Sequence, residues 1–183
     1  ILMPTGGQVD TPAVHSLLGL TQALPRRGIR FALKTYEWSD LVISRNYLMS
    51  CFLADHKFTH ALLLDSDMSY HPQVFFDLLA FEADFTCAPY PQRRMQWSTF
   101  RALIEREAAK PEAERAPTDR LFAESLRYNV PQVFDAGQAW PHVVRDGFRK
   151  VPGAGTGFML IRRAVPERMV ETAIDELGGL DLL

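Results

Sequence analysis

Asp65 and Asp67 are the residues best placed to do chemistry: two carboxylates one residue apart, closing the apolar run Ala61-Leu62-Leu63-Leu64. A run this short between polar residues predicts a strand buried on both faces at the centre of a parallel sheet. Side chains alternate along an extended chain, so both carboxylates are expected to point the same way at the carboxyl edge, where open α/β sheets bind ligands. Two like charges so close call for a cation. Oxygen-only donors select a hard ion, and two carboxylates suit Mg2+ or Mn2+ completed by water and phosphate oxygens. The plainer reading is an acidic surface turn.

The elements that must carry this pair follow from periodicity. Ile1-Leu2-Met3 reads as a first strand, broken by Pro4-Thr5-Gly6-Gly7, after which Thr11-Pro12 open a helix with Val14, Leu17, Leu18 and Leu24 on its apolar stripe. Thr11 is the expected cap, and Gly28 follows the helix end. Residues 29–36 alternate as a second strand ending in Glu37-Trp38-Ser39-Asp40. The next helix, about 41–54, places Leu41, Leu48, Met49, Phe52 and Leu53 on one broad face, with Arg45 inside it and Asn46 at its margin. A cation on that face, near the helix start and beside Asp65 and Asp67, is positioned to meet a ligand; otherwise it snorkels or pairs with a carboxylate. His71-Pro72 and Val74, Phe75, Leu78 and Leu79 predict a third helix, and residues 85–89 a fourth strand. Strands alternating with helices argue for an α/β domain with a mostly parallel, helix-covered sheet.

From Tyr90 the composition changes. Arg93 and Arg94 follow the fourth strand, either to meet phosphates or as a surface basic pair. A helix over 98–109 runs into a Pro- and charge-rich segment, 110–120, expected to be a solvated, mobile surface, and about 97–140 reads as a variable insertion in a single domain. Asp146-Gly147 between β-favouring runs predicts a type I′ hairpin over 143–151. Gly153-Ala154-Gly155-Thr156-Gly157 precedes a strand instead of opening a helix, so it is no P-loop; it permits close approach of backbone to a ligand or to another strand. A last helix from about Pro166 is expected to bury Val165, Met169, Val170, Ala173, Ile174 and Leu177.

Composition bounds the function. With 183 residues, 47% of them hydrophobic, the chain can bury a core and is neither disordered nor fibrous. A net charge of -2 gives no general attraction for nucleic acid or anionic membrane, so any anion must be held by a site. Cys51 and Cys87 match no metal spacing and are expected to be buried free thiols in a reducing, cytoplasmic compartment. No apolar run reaches the ~20 residues of a membrane span. The chain lacks an initiator Met and ends in the apolar Leu180, Leu182 and Leu183, so further residues, a missing segment or a second subunit are expected.

Assembled in order, Pro4-Thr5-Gly6, Ser44-Arg45-Asn46, Leu63-Leu64-Asp65-Ser66-Asp67 and Gly155-Thr156-Gly157-Phe158-Met159-Leu160-Ile161-Arg162-Arg163 resemble the GT-A glycosyltransferases of the nucleotide-diphosphosugar transferase superfamily. The resemblance covers most of Ile1 to Arg163 outside the variable stretch after Trp97. It implies a GT-A-like, Rossmann-type domain and a Mn2+- or Mg2+-dependent transfer of sugar from a UDP- or GDP-sugar to an acceptor the sequence does not name. It further implies that Pro4, Thr5, Gly6 and Glu37 hold the nucleoside, and that Arg45 and Asn46 border the nucleotide. Asp65, Ser66 and Asp67, the family's DxD motif, would serve the ribose and the metal-bound diphosphate, with Arg93, Gly155 and Thr156 completing the donor site. Inverting members usually carry an acidic base beyond the Gly-Thr-Gly-Phe block, and this chain ends soon after it, so neither base nor stereochemistry is assigned. Two other readings compete. A haloacid-dehalogenase-type phosphatase also places an Asp-x-Asp after a strand, but normally the first strand of its domain. A non-catalytic nucleotide-sugar-binding module would keep the site without the chemistry.

Overall fold

The computed structural model of the chain describes residues 1–130, 144–151 and 153–176, leaving aside the side chains at 93, 94, 144, 175 and 176. In chain order the elements are β1 (Leu2–Thr5), α1 (Thr11–Arg26), β2 (Lys34–Glu37), α2 (Leu41–Ala54), β3 (His60–Leu64), α3 (Gln73–Ala80), β4 (Phe85–Cys87), β5 (Pro91–Met95), α4 (Trp97–Ala108), α5 (Thr118–Ser125), β6 (Leu126–Tyr128), β7 (Val144–Arg145), β8 (Phe148–Arg149), β9 (Phe158–Arg162) and α6 (Ala164–Glu176). They form two compact units, Ile1–Ala88 with Gly155–Leu183, and Pro89–Ala154.

The first unit is a mixed α/β layer structure around a five-stranded sheet of order β2-β1-β3-β9-β4. β2, β1 and β3 are parallel, while β9 runs antiparallel between β3 and β4, so four of the five strands share one direction. The apolar run at 61–64 is buried throughout, as a strand covered on both faces must be. On one face Leu2, Ala61, Leu63, Met159 and Ile161 pack with Leu48 and Phe52 of α2. Met3, Leu62, Leu64, Phe158 and Leu160 alternate to the other face, and α1 and α3 contribute the buried Leu20, Leu24, Phe75, Phe76 and Leu78.

Several expectations are corrected. The second strand is Lys34–Glu37, not 29–36, because Ile29 and Phe31 line a cavity instead of pairing. α1 begins at Thr11, with Asp10 as the N-cap residue and no side-chain cap; the Asp10 N–H is bonded to the Ser66 carbonyl at 3.0 Å, which fixes the start one residue early. Among its described residues α6 leaves most of its apolar stripe open: Met169, Val170 and Ile174 are exposed, and of these described members of the expected set only Val165 packs against the core. Leu177, Leu180, Leu182 and Leu183 lie outside the described residues. Cys51 and Cys87 are free but half-buried.

The second unit pairs β5 with β6 and β7 with β8, and contains α4 and α5. The expected hairpin is present, Asp146 and Gly147 having φ of 52° and 82° as a type I′ turn requires. The segment 110–120 is not merely solvated. Buried Glu107 of α4 accepts hydrogen bonds from Lys110 Nζ at 2.8 Å and from the Ala116 N–H at 2.9 Å, binding this segment to the helix. Arg93 and Arg94 follow the fourth strand as expected and lie within β5.

Candidate functional site

Because β1, β2 and β3 are parallel, their last residues Thr5, Glu37 and Leu64 share one edge of the sheet. β9 starts from that edge, since Phe158 pairs with Leu64. The expected site residues of the first unit are therefore gathered by topology, although they come from distant parts of the chain.

Asp65 to Met68 form a turn, not an extension of the strand. The Asp65 N–H donates to the Gly157 carbonyl at 2.9 Å, and the Met68 N–H folds back onto the Asp65 carbonyl at 3.3 Å. The expectation that strand alternation aligns the two carboxylates is thus corrected: β3 stops at Leu64, and the turn itself presents them. Asp65 and Ser66 are half-buried, and Asp67 is exposed. The Ser66 carbonyl accepts the Asp10 N–H, so the loop after β1 is tied to the aspartate turn.

Arg45 reaches this turn from the first half of α2. Asp40 caps that helix, its Oδ1 accepting the Val42 N–H at 2.8 Å and the Ile43 N–H at 3.0 Å. Ser44, Leu48 and Phe52 form the buried ridge. Leu41, expected on that face, is exposed. Next to the ridge, Arg45 Nη2 donates to Asp65 Oδ1 at 2.7 Å, with side-chain exposures of 21% and 27%. Of the three uses open to this cation, meeting a ligand, snorkelling to solvent or pairing with a carboxylate, the last is observed. Its Nε is buried and has no hydrogen-bond partner among the described residues. Asn46, one position on, is exposed.

On the β1 side, Pro4 is buried, Thr5 half-buried and Gly6 exposed. The Thr5 carbonyl accepts the Trp38 N–H at 3.2 Å, which fixes the end of β2 beside it. Glu37 leans over Gly7: a Cβ there would lie 3.1 Å from Glu37 Oε1, and the glycine φ of +89° disfavours any side chain. Gly155 and Thr156, half-buried, lead through Gly157 into β9. Arg93 lies in the second unit.

Two further residues contribute. The Gly157 carbonyl anchors Asp65, a close backbone approach of the kind the Gly-rich loop was expected to allow. Tyr70 follows the aspartate turn, its N–H donating to Ser16 Oγ at 2.9 Å and its ring meeting Phe158 edge-on at 4.6 Å. Burial pushes its phenol well above the usual tyrosine range.

Among the described residues no three His, Cys, Asp or Glu side chains gather into a metal cage. The carboxylates that could serve a divalent ion are Asp67 and Asp65, the latter with one oxygen held by Arg45. Mg2+ and Mn2+ accept so small a protein share when phosphate and water complete the shell.

No protein-family model and no curated protein matches the chain. Among solved structures, the crystal structure of A197 from STIV is similar with a TM-score of 0.48 and 15% sequence identity, over 91% of this chain and 65% of that one. The chain thus spans about two thirds of the length of that protein. No helix among the described residues is long and apolar enough to cross a membrane.

Proposed function

We propose that the carboxyl edge of the first unit binds a UDP- or GDP-sugar with Mn2+ or Mg2+, and that the chain is the donor-binding part of a GT-A glycosyltransferase. The observation that carries this reading is the Arg45–Asp65 ion pair at a sheet edge where Thr5, Glu37 and Gly157 also converge. A guanidinium that leaves the apolar ridge of its helix to fix a carboxylate at a ligand-binding edge is an expensive arrangement for packing alone.

Each residue has a role in this reading. Glu37 and Asp65 accept ribose hydroxyls, and Arg45 holds Asp65 in the orientation that does so. Gly6 and Gly7 let the nucleoside approach the backbone closely. Asp67, with Asp65 beside it, would hold the divalent ion, which would stabilise the negative charge on the departing nucleoside diphosphate.

Calorimetry with UDP and with GDP, with and without Mn2+, tests the proposal. One of the two should bind more tightly with the metal, and Asp67→Ala should weaken that binding at least about tenfold, or roughly 1.4 kcal/mol. Equal binding by Asp67→Ala would refute the assignment. Binding without turnover of any donor would make the chain a nucleotide-sugar-binding module.

A further inference from the structure

One cavity of the first unit lies away from the aspartate turn. It opens at the opposite edge of the sheet, where β1, β2 and β3 begin, as its lining by Leu2, Lys34 and His60 shows. Its volume is about 500 Å3, within the roughly 300–1,000 Å3 of small-molecule sites. Four aromatic side chains, Phe31, Phe52, Phe58 and Phe75, give it an apolar interior. Three cations, Arg30, Lys34 and Lys57, line it against one carboxylate, Asp55. That carboxylate already accepts the Lys57 N–H at 3.2 Å. The Cys51 thiol beside Lys34 raises the lysine's pKa, whereas Arg30 and Lys57 are exposed and form no ion pair among the described residues. Arg30 and Lys57 also border an adjoining recess that shares Phe31 and Phe58.

We propose that this cavity is a second binding site, for a small amphipathic anion: an apolar body among the phenylalanines and a phosphate or carboxylate at Arg30 and Lys57. The phenylalanines give no partner to a hydrated ion such as inorganic phosphate, which lacks the apolar body to be buried among them. The unpaired cations favour an anion over a neutral amphiphile of the same length, with an attraction that salt screens.

Calorimetry at low ionic strength with octyl phosphate, 1-octanol and inorganic phosphate, each below any aggregation threshold, decides the matter. Octyl phosphate should bind at least about tenfold more tightly than octanol, and inorganic phosphate should show no saturable heat. In the double variant Arg30→Gln, Lys57→Gln the two octyl ligands should converge to within about threefold. Leu79→Trp, which narrows the cavity from α3, should weaken both. If that variant does not melt cooperatively, the two surface substitutions still carry the test. Octanol binding as well as octyl phosphate, or an undiminished preference in the double variant, would overturn the proposal. So would octyl phosphate binding unchanged in a cooperatively melting Leu79→Trp chain. The aspartate turn is at the other edge, so Asp67→Ala leaves these values unaltered, and failure here does not bear on the nucleotide site.

Discussion

Arg45 and Glu107 show how differently two charged residues of α-helices can be used. Arg45 donates to Asp65 while keeping a buried Nε without a partner, so its geometry is set for the carboxylate and not for the helix. Replacing it by Met is expected to weaken nucleoside diphosphate binding about tenfold while costing only about 1 kcal/mol of stability, because the pair is partly solvated. Arg45→Lys should not restore affinity, since a single ammonium lacks the planar fork. Parallel calorimetry and urea unfolding check both halves; large destabilisation with unchanged affinity would make Arg45 a packing residue. Glu107 has the opposite character. The Ala116 N–H, then Lys110, with Arg106 contributing less, hold its carboxyl at about 2 against an ordinary 4.5. A carboxyl depressed on folding stabilises the fold above its ordinary pKa and loses that contribution as pH falls through the folded value. The gap in unfolding midpoint between the parent and Glu107→Gln should therefore be full above about pH 4.5 and close near pH 2. A gap independent of pH would show that the charge of Glu107 contributes nothing.

At the scale of elements, Arg163 is the clearest case of a residue whose work the sequence concealed. It lies in the block that resembles the glycosyltransferases, yet its guanidinium donates to the carbonyls of Phe52, Leu53, Asp55 and Phe58 at 2.6 to 3.2 Å and stacks over Phe52 at 4.3 Å. It closes the carboxyl end of α2, whose last carbonyls have no partner within the helix. Arg163→Ala should cost about 3 kcal/mol, and Arg163→Lys should recover less than half of that, because one ammonium cannot serve four carbonyls. Thermal unfolding of the three chains measures it, and a loss within about 0.5 kcal/mol would contradict the role. α2 itself was legible, from the polar Asp40 to the end of its apolar pattern at Ala54, and so was β3. Two elements were not. Residues 29–33 alternate in the sequence without pairing in the sheet, Ile29 and Phe31 lining a cavity instead, and period alone does not distinguish such a segment from a strand. The stripe on α6 is real in the sequence, but periodicity says only that a face is apolar, not that another element covers it. The candidate site was legible as a set of residues on one edge; the turn at Asp65 was not, because it depends on the Gly157 carbonyl arriving from far along the chain.

At the scale of the whole molecule the chain divides into two compact units, the second being residues 89–154. The cut ends are near each other, since the Ala88 N–H donates to the Phe158 carbonyl at 3.0 Å. Replacing residues 89–154 with a short Gly-Ser linker should leave the five-stranded sheet intact, giving a single cooperative thermal transition and unaltered α/β circular dichroism. A chain that no longer melts cooperatively would show that the first unit needs the second.

The position of β9 also imposes a timetable. β3 and β4 are never neighbours in the sheet; both wait for a strand made about a hundred residues after His60. Until Phe158 to Arg162 leave the ribosome, the open side of β3 has no mate, and Leu62 and Leu64 lie beside unpaired backbone groups in the nascent chain. The aspartate turn is equally late, because Asp65 gains its anchor only with Gly157. Synthesis therefore anchors the Asp65 turn only once β9 is made, and a newborn chain remains open to mispairing with its neighbours on the polysome until then.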